Sequence, residues 1–193
     1  MRIEEISLTN GVITLRPYQS TDIEPCFESV LESINELSPW MWWCHSAYSI
    51  EDTRIWIDTR PDAWENGTEY SFAIIGSKDG SFLGGCGLNN INITDRFANS
   101  GYWVRTSQSR QGVATAAMLL VAQFAFKKLG LNRLEIVVAT ENKGSQRVAE
   151  KVGALREGIL RKRIVVSDNV YDAFMFSLLA DDFRGEPKNP GRS

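Results

Sequence analysis

Hydrophobic and polar positions alternate, cluster and change period in a way that divides the chain into some ten elements. Val12 to Leu15 reads as a strand ended by Pro17, and Ser20-Thr21-Asp22 offers an N-cap for a helix reaching about Leu37. Residues 38–48 have no period and are crowded with aromatics. Ser49 with Asp52 approximates a capping box for a second helix, with Trp56 and Ile57 on its apolar side. Pro61 predicts a break near Arg60, because proline lacks the N–H that a helix interior needs, and the helical stretch ends by Gly67. Tyr70 to Ile75 and Ser81 to Leu88 are strands around the turn residues Lys78-Asp79-Gly80. Asn89 to Asn99 reads as a polar connection.

The stretch from Gly101 to Asn142 organises the remainder. Tyr102 to Val104 suits a strand, and Arg105 to Gln111 is a polar turn. From Gly112 a run of Ala, Leu, Met, Val and Phe predicts a largely buried helix, with Lys127 and Lys128 in its last turn and Gly130 as its stop. Leu131 to Ala139 is a further strand, Asn142 opens a helix over 144–152, and Gly153 stops it. Ile159 to Val166 and Tyr171 to Leu179 form a hairpin around Ser167-Asp168-Asn169. The expected fold is α/β, a mixed and mostly antiparallel sheet with helices on both faces. A single domain over 1–184 is expected, with a disordered tail from Gly185 to Ser193.

A helix that begins directly after a polar glycine turn points unpaired N–H groups and a positive dipole end at that turn, which suits an anion. Arg105 and Arg110 bring positive charge, and Gly112 and Ala114 let a phosphate approach the main chain. Neither a Walker turn nor a Gly-x-Gly-x-x-Gly fingerprint is present. A net charge of −3 gives no global pull toward nucleic acid or an anionic membrane, so an anion site must be local. Three cysteines, Cys26, Cys44 and Cys86, lack Cys-x-x-Cys spacing, which argues against a disulfide framework or a zinc site and for a reducing cytoplasm. The apolar run near Met118 to Phe126 is too short and interrupted to span a bilayer, and no leader pattern opens the chain.

Ser109-Arg110-Gln111-Gly112-Val113-Ala114 resembles the acetyl-CoA turn of GNAT acyltransferases, Gln/Arg-x-x-Gly-x-Gly/Ala, with Ser109 in place of the first Gln or Arg. Gly101-Tyr102-Trp103-Val104 precedes it. Glu141-Asn142-x-x-Ser145-x-x-Val148-Ala149-Glu150-Lys151-x-Gly153 follows. Together they resemble the RimJ/RimL-like branch, which acetylates ribosomal-protein N-termini, and the likeness runs from Leu15-Arg16-Pro17 to Leu178. The resemblance implies a GNAT-like acyl-CoA N-acyltransferase fold and an acetyl-CoA co-substrate with no metal. It implies that main-chain groups of Trp103, Val104 and Arg105 pair with the pantetheine arm. Arg110, Gln111, Gly112, Val113, Ala114 and Thr115 would hold the pyrophosphate, and Asn142 would bond the arm from the opposite strand.

Transfer to an amine needs a neutral nucleophile, a polarised thioester and a proton for the departing thiolate. Ser145 matches the position of a RimL-like serine beside the sulfur, while Ala149 stands where many GNAT enzymes carry a tyrosine. Glu135 is a candidate base working through water, and a surface or ion-paired role is its alternative. The positions where related branches carry a basic Glu fall on Val137 and Ile164. His45 is a further candidate base, since imidazole titrates near neutrality. Trp40, Trp42, Trp43 and His45 resemble the Pro-Trp-Met-x-Trp segment that borders the acceptor site.

A weak base suits an α-amine. Deprotonating a group of pKa about 7.7 to 8.0 near pH 7 costs about 1 kcal/mol, against about 4 to 5 for a lysine near 10.4. Three functions stay open: acetylation of a protein N-terminus, such as a ribosomal protein's; acetylation of a small amine such as an amino acid, polyamine or antibiotic; and binding of acyl-CoA without turnover. Either a monomer or a homodimer fits.

Overall fold

The computed structural model describes residues 3–182. The expected tail, Gly185 to Ser193, and the domain limit at 184 lie outside them. The described strands are β1 (Leu8–Thr9), β2 (Ile13–Pro17), β3 (Tyr70–Gly76), β4 (Phe82–Asn92), β5 (Phe97–Val104), β6 (Arg133–Ala139), β7 (Leu155–Val166) and β8 (Asn169–Leu179). The helices are α1 (Ile23–Glu32), α2 (Ile34–Leu37), α3 (Ile50–Asp58), α4 (Arg60–Glu65), α5 (Val113–Lys127) and α6 (Lys143–Lys151). All eight strands join one sheet in the order β1-β2-β3-β4-β5-β6-β8-β7. Every neighbouring pair is antiparallel except β5 with β6.

Alternation along the strands sends side chains to two faces, and each face is covered by what the sequence supplies. On one face α5 packs Ala117, Leu120, Val121 and Phe124 against Leu15, Phe72, Ile74 and Leu88. Phe124 is ringed by Trp64, Tyr70 and Phe72 at centroid distances of 5.3–5.8 Å. On the other face α1 and α3 bury Cys26, Val30 and Ile57 against Ala73 and Phe82. A third cluster joins α6 to the far half of the sheet through Ala149, Val152, Ile136, Val138 and Phe176, with Met118 of α5 completing it.

Four differences from the sequence reading have physical causes. The first helix does not run unbroken to Leu37. It breaks at Ser33 (φ −110°, ψ 9°), whose buried hydroxyl accepts a hydrogen bond from Thr106 N–H at 2.9 Å. The polar connection expected over Asn89 to Asn99 is mostly strand. Asn99 Nδ2 donates to Asn89 Oδ1 at 2.8 Å across the ladder, so a polar cross-strand pair stands where alternation would have shown apolar residues. A register shift follows Asn89, with Asn90 at φ 49°. The last hairpin starts at Leu155 rather than Ile159, its sparse apolar residues being exposed. The short β1 was not anticipated.

The helix break expected beside Pro61 falls at Thr59, with Pro61 in the first turn of α4. The capping box at Ser49 and Asp52 is formed in both directions.

Candidate active site

β5 and β6 run side by side for only three residue pairs, Phe97 with Arg133, Ala98 with Leu134 and Asn99 with Glu135. Beyond Asn99 the ladder stops. Ser100 to Val104 keep β4 as their partner, and Ile136 to Ala139 keep β8. The two strands therefore diverge, leaving one hydrogen-bonding edge of each unpaired along a wedge-shaped gap. Arg105 N–H donates to Leu83 O at 2.9 Å, so its edge of the backbone faces β4; by alternation the main-chain groups of Tyr102 and Val104 face the gap. On the far side, Thr140 N–H donates to Asp172 O at 3.0 Å, which turns the main-chain groups of Val137 to the gap.

Helix N-termini meet the open end of this gap. Arg110 (φ 61°) and Gly112 (φ 84°) both lie in the left-handed region and bend the turn sharply into α5. Gly112 is the N-cap and supplies no capping side chain; the first intrahelical bond runs from Ala116 N–H to its carbonyl at 2.9 Å. The N–H groups of Val113, Ala114 and Thr115 have no partner among the described residues. A Cβ at Gly112 would meet nothing within 4 Å, so there is room at this spot. Three orphan donors at the head of a fifteen-residue helix, with open space before them, make a site for a phosphate.

On the opposite side Asn142 caps α6, its Oδ1 accepting from Ser145 N–H at 3.0 Å. Its amide nitrogen remains for a ligand. Ser145 is half-buried, and its hydroxyl has no partner among the described residues. The two sides are joined by Tyr102, whose hydroxyl donates to Ser145 O at 3.1 Å. Burial pushes the Tyr102 phenol up to about 12, which keeps it a neutral donor near pH 7.

The turn between β5 and α5 is itself held from behind. Glu32, at the end of α1, accepts from Arg105 Nε at 2.9 Å, from Arg105 Nη2, and from Ser107 N–H at 2.7 Å. Glu36 accepts from Thr106 Oγ1 at 3.2 Å. The Arg105 guanidinium draws the Glu32 carboxyl down to about 2. This corrects two expectations. The Arg105 side chain does not approach the anion site, because it is committed to Glu32, and its main-chain N–H serves the β4 ladder. Trp103 likewise pairs with Gly85 of β4, and its indole lies 6.0 Å from the ring of Trp43 on the α1 face.

The remaining candidates separate. Glu135 sits at the last paired position before the gap, with Arg133 Nε 3.0 Å from its carboxylate. Arg133 also holds Glu157 through two nitrogens at 2.7 Å each. His45 is exposed, 6.3 Å from the ring of Tyr48. Trp43 reaches Trp103 beside the gap, and Trp40 lies 5.9 Å from Tyr171 of β8. The residues 38–48 thus form an aromatic wall over one face of the sheet. Cys26, Cys44 and Cys86 are buried and free, and burial pushes all three thiols up, away from the nucleophilic thiolate. Glu32 and Tyr102 were not singled out from sequence. Glu32 carries no local signal, whereas Tyr102 lay within the quoted Gly-Tyr-Trp-Val motif.

A family model described as an acetyltransferase (GNAT) domain matches residues 13–155. The chain belongs to the GNAT acetyltransferase family. Among curated relatives, the putative ribosomal N-acetyltransferase YdaF of Bacillus subtilis is 32% identical over 180 residues, covering 92% of this chain and 96% of the relative. The structure of Mycobacterium smegmatis RimJ in complex with CoA-disulfide matches with a TM-score of 0.83 and 26% identity, covering 93% of this chain and 88% of that one. A structure of RimL, the ribosomal L7/L12 alpha-N-protein acetyltransferase, in complex with coenzyme A shares the fold, with a TM-score of 0.85, 18% identity, and coverage of 92% of this chain and 99% of that one.

This GNAT enzyme, of the RimJ/RimL-like branch, is an acyltransferase that uses acetyl-CoA as co-substrate. The thioester supplies an activated acetyl group, and the chain supplies the place for it: unpaired strand edges for an amide-bearing arm and orphan N–H groups for a pyrophosphate. Among the described residues no group of three His, Cys, Asp or Glu side chains could hold a metal ion. No helix among them is long and apolar enough to cross a membrane.

Proposed function

We propose that this enzyme transfers an acetyl group from acetyl-CoA to the α-amino group of a protein N-terminus by direct attack in a ternary complex. The observation that carries the reading is the gap between β5 and β6, which has donors for the thioester and, at its vertex, a carboxylate held in an ion pair rather than free to act as a base. Glu135, the acidic side chain at its vertex, is ion-paired with Arg133, which Glu157 shares. Such a site suits an amine that is already partly neutral near pH 7, as an α-amine is and a lysine is not.

In this reading Gln111 to Thr115 hold the pyrophosphate, while Tyr102 and Val104 on one edge and the Asn142 amide on the other align the arm. The amine nitrogen attacks the carbonyl carbon and the C–S bond breaks. The sulfur takes a proton from Ser145 Oγ, and the amine's surplus proton leaves through water to restore the serine hydroxyl. Trp40, Trp43 and His45 line the acceptor's approach. YdaF, named as a putative ribosomal N-acetyltransferase, lends support.

The test is thiol release from acetyl-CoA with N-terminal Ser and Ala peptides beside polyamines and free amino acids. Turnover confined to peptides is the expected result. Turnover confined to a small amine overturns the reading, and CoA binding with no turnover on any amine points to a non-catalytic acyl-CoA sensor.

A further inference from the structure

β7 and β8 do not form a regular hairpin. Leu160 pairs with Ala173 and Ile164 with Tyr171, so Arg161, Lys162 and Arg163 together stand opposite the single residue Asp172. Lys162 takes φ 51°, and its N–H donates to Asp172 Oδ1 at 2.7 Å. The main chain of the bulge is therefore pinned while its three side chains stay exposed. Among the described residues none of the three makes an ion pair. The neighbouring carboxylates are engaged elsewhere: Asp172 with the bulge backbone, Glu135 and Glu157 with Arg133, Glu32 with Arg105 and Glu36 with Thr106. Asp168, at the hairpin tip, and Glu141, next to Thr140, are exceptions. A chain of net charge −3 thus concentrates three adjacent cations at one place, with the single Asp172 carboxylate opposite them.

That place is the edge of the aromatic wall. Trp40 lies against Tyr171, the cross-strand partner of Ile164, directly beside Arg163. Thr140, at the end of β6 where the gap opens, bonds to the carbonyl of Asp172, the residue opposite the bulge. Two interstrand spacings of about 4.8 Å separate β6 from β7, so the bulge lies roughly 10 Å to the side of the gap. An extended peptide covers that distance in about three residues at roughly 3.3 Å each.

We propose that the Arg161-Lys162-Arg163 bulge recognises carboxylate side chains about three to five residues behind the acceptor's reacting amine, so that the preferred acceptor is an N-terminus followed by acidic residues. The inference rests on the N-terminal reading above and adds the substrate class. A polyamine would meet three like charges at this rim. Protection of an exposed sheet edge is the competing role for such cations. It does not account for their position, since the exposed Leu155 and Ile159 of the same strand have Arg156 alone near them while all three cations gather beside Trp40 and Tyr171.

The experiment compares two peptides with the same first two residues, one carrying Asp and Glu at positions 3 to 5 and the other Lys. For the unmodified enzyme at low salt, kcat/KM should favour the acidic peptide by about tenfold, and the ratio should shrink as NaCl rises from about 50 to about 300 mM. In Arg161→Gln/Lys162→Gln/Arg163→Gln the ratio should fall to within about twofold. The single variant Arg163→Gln, which leaves two of the cations in place, should give an intermediate ratio. Equal use of both peptides by the unmodified enzyme overturns the proposal. So does an equal fall on both peptides in the triple variant, which would make the bulge structural. If neither peptide is acetylated while spermidine is, the N-terminal reading falls, and this inference falls with it.

Discussion

Replacing Glu32 by Ala tests whether the acceptor wall and the pyrophosphate turn are mechanically one unit. The carboxylate receives three donors, two from Arg105 and one from Ser107 N–H, and sits at the end of the helix whose continuation leads into the aromatic segment. Hydrogen bonds to charged groups contribute about 1.5 to 3 kcal/mol each, net of exchange with water, when they are well buried. Here the two side chains are 27% and 30% exposed, so water replaces part of what is lost, and a net destabilisation of about 1 to 2 kcal/mol follows. The same change frees the segment 105–108 that delivers the chain to Gly112. The KM for acetyl-CoA and the calorimetric Kd for CoA should rise about three- to tenfold, with kcat falling less, because about 1.4 kcal/mol of lost preorganisation is a factor of ten. Glu32→Gln, which keeps an acceptor without the charge, should fall between. The sign of the pH effect follows from a depressed folded-state pKa. With the carboxyl held near about 2 and an unfolded value near about 4.3, the contribution is complete above about pH 5 and is lost as pH falls toward 2. The stability difference between the unmodified enzyme and Glu32→Gln should therefore be constant near neutrality and shrink in acid. Unchanged CoA affinity in a destabilised Glu32→Ala protein would refute the coupling and leave Glu32 a structural residue.

Other substitutions separate the parts of the site. Gly112→Glu should fold, since a Cβ there meets nothing within 4 Å, at a cost of about 1 to 2 kcal/mol for the left-handed backbone. Its CoA affinity by calorimetry should drop more than about tenfold, from carboxylate and phosphate sharing one place; undiminished affinity would remove the anion site from this turn. Ser145→Ala keeps the Asn142 cap, which uses the main-chain N–H, so turnover should fall while CoA affinity stays within about twofold. An equal fall in both would mark Ser145 as a binding residue. Gly87→Ala places a Cβ 2.4 Å from Tyr70 O and 2.9 Å from Ser71 Cα, main-chain atoms of β3 that cannot swing aside. A loss of about 2 to 3 kcal/mol in urea denaturation is expected, and a loss under about 0.5 kcal/mol would show that β3 and β4 can separate there.

The fold was legible where a residue's local role and its place in the sheet agree. The apolar run of α5 and the Ser49 and Asp52 box each signal their element without tertiary context. The errors fall where a distant partner decides. Ser33 sits inside an apolar-periodic stretch, and what breaks the helix there is a bond to Thr106, seventy-three residues on. Asn89 and Asn99 look like loop residues because each satisfies the other, a pairing that periodicity cannot register. Exposed Leu155 and Ile159 gave β7 no alternation to read at its start.

The site divides along the same line. Its main-chain parts follow from the sequence, because a glycine turn before a long apolar helix must leave N–H groups unpaired, and an Asn at the head of the next helix is a cap on propensity alone. Its side-chain parts depend on which strands stay paired. Arg105 looked like an anion ligand from its distance to Gly112, yet strand alternation and Glu32 turn it away, and nothing within the turn encodes that partner. Tyr102 shows the converse. Placed on the α5 face by alternation with Trp103, it reaches Ser145 O only because β5 and β6 have separated enough for α6 to lower its first turn into the opening. The hydroxyl that closes the back of the gap is thus a consequence of the same divergence that opens its front, so a change that re-paired β5 with β6 beyond Asn99 would remove the cleft and displace Tyr102 together.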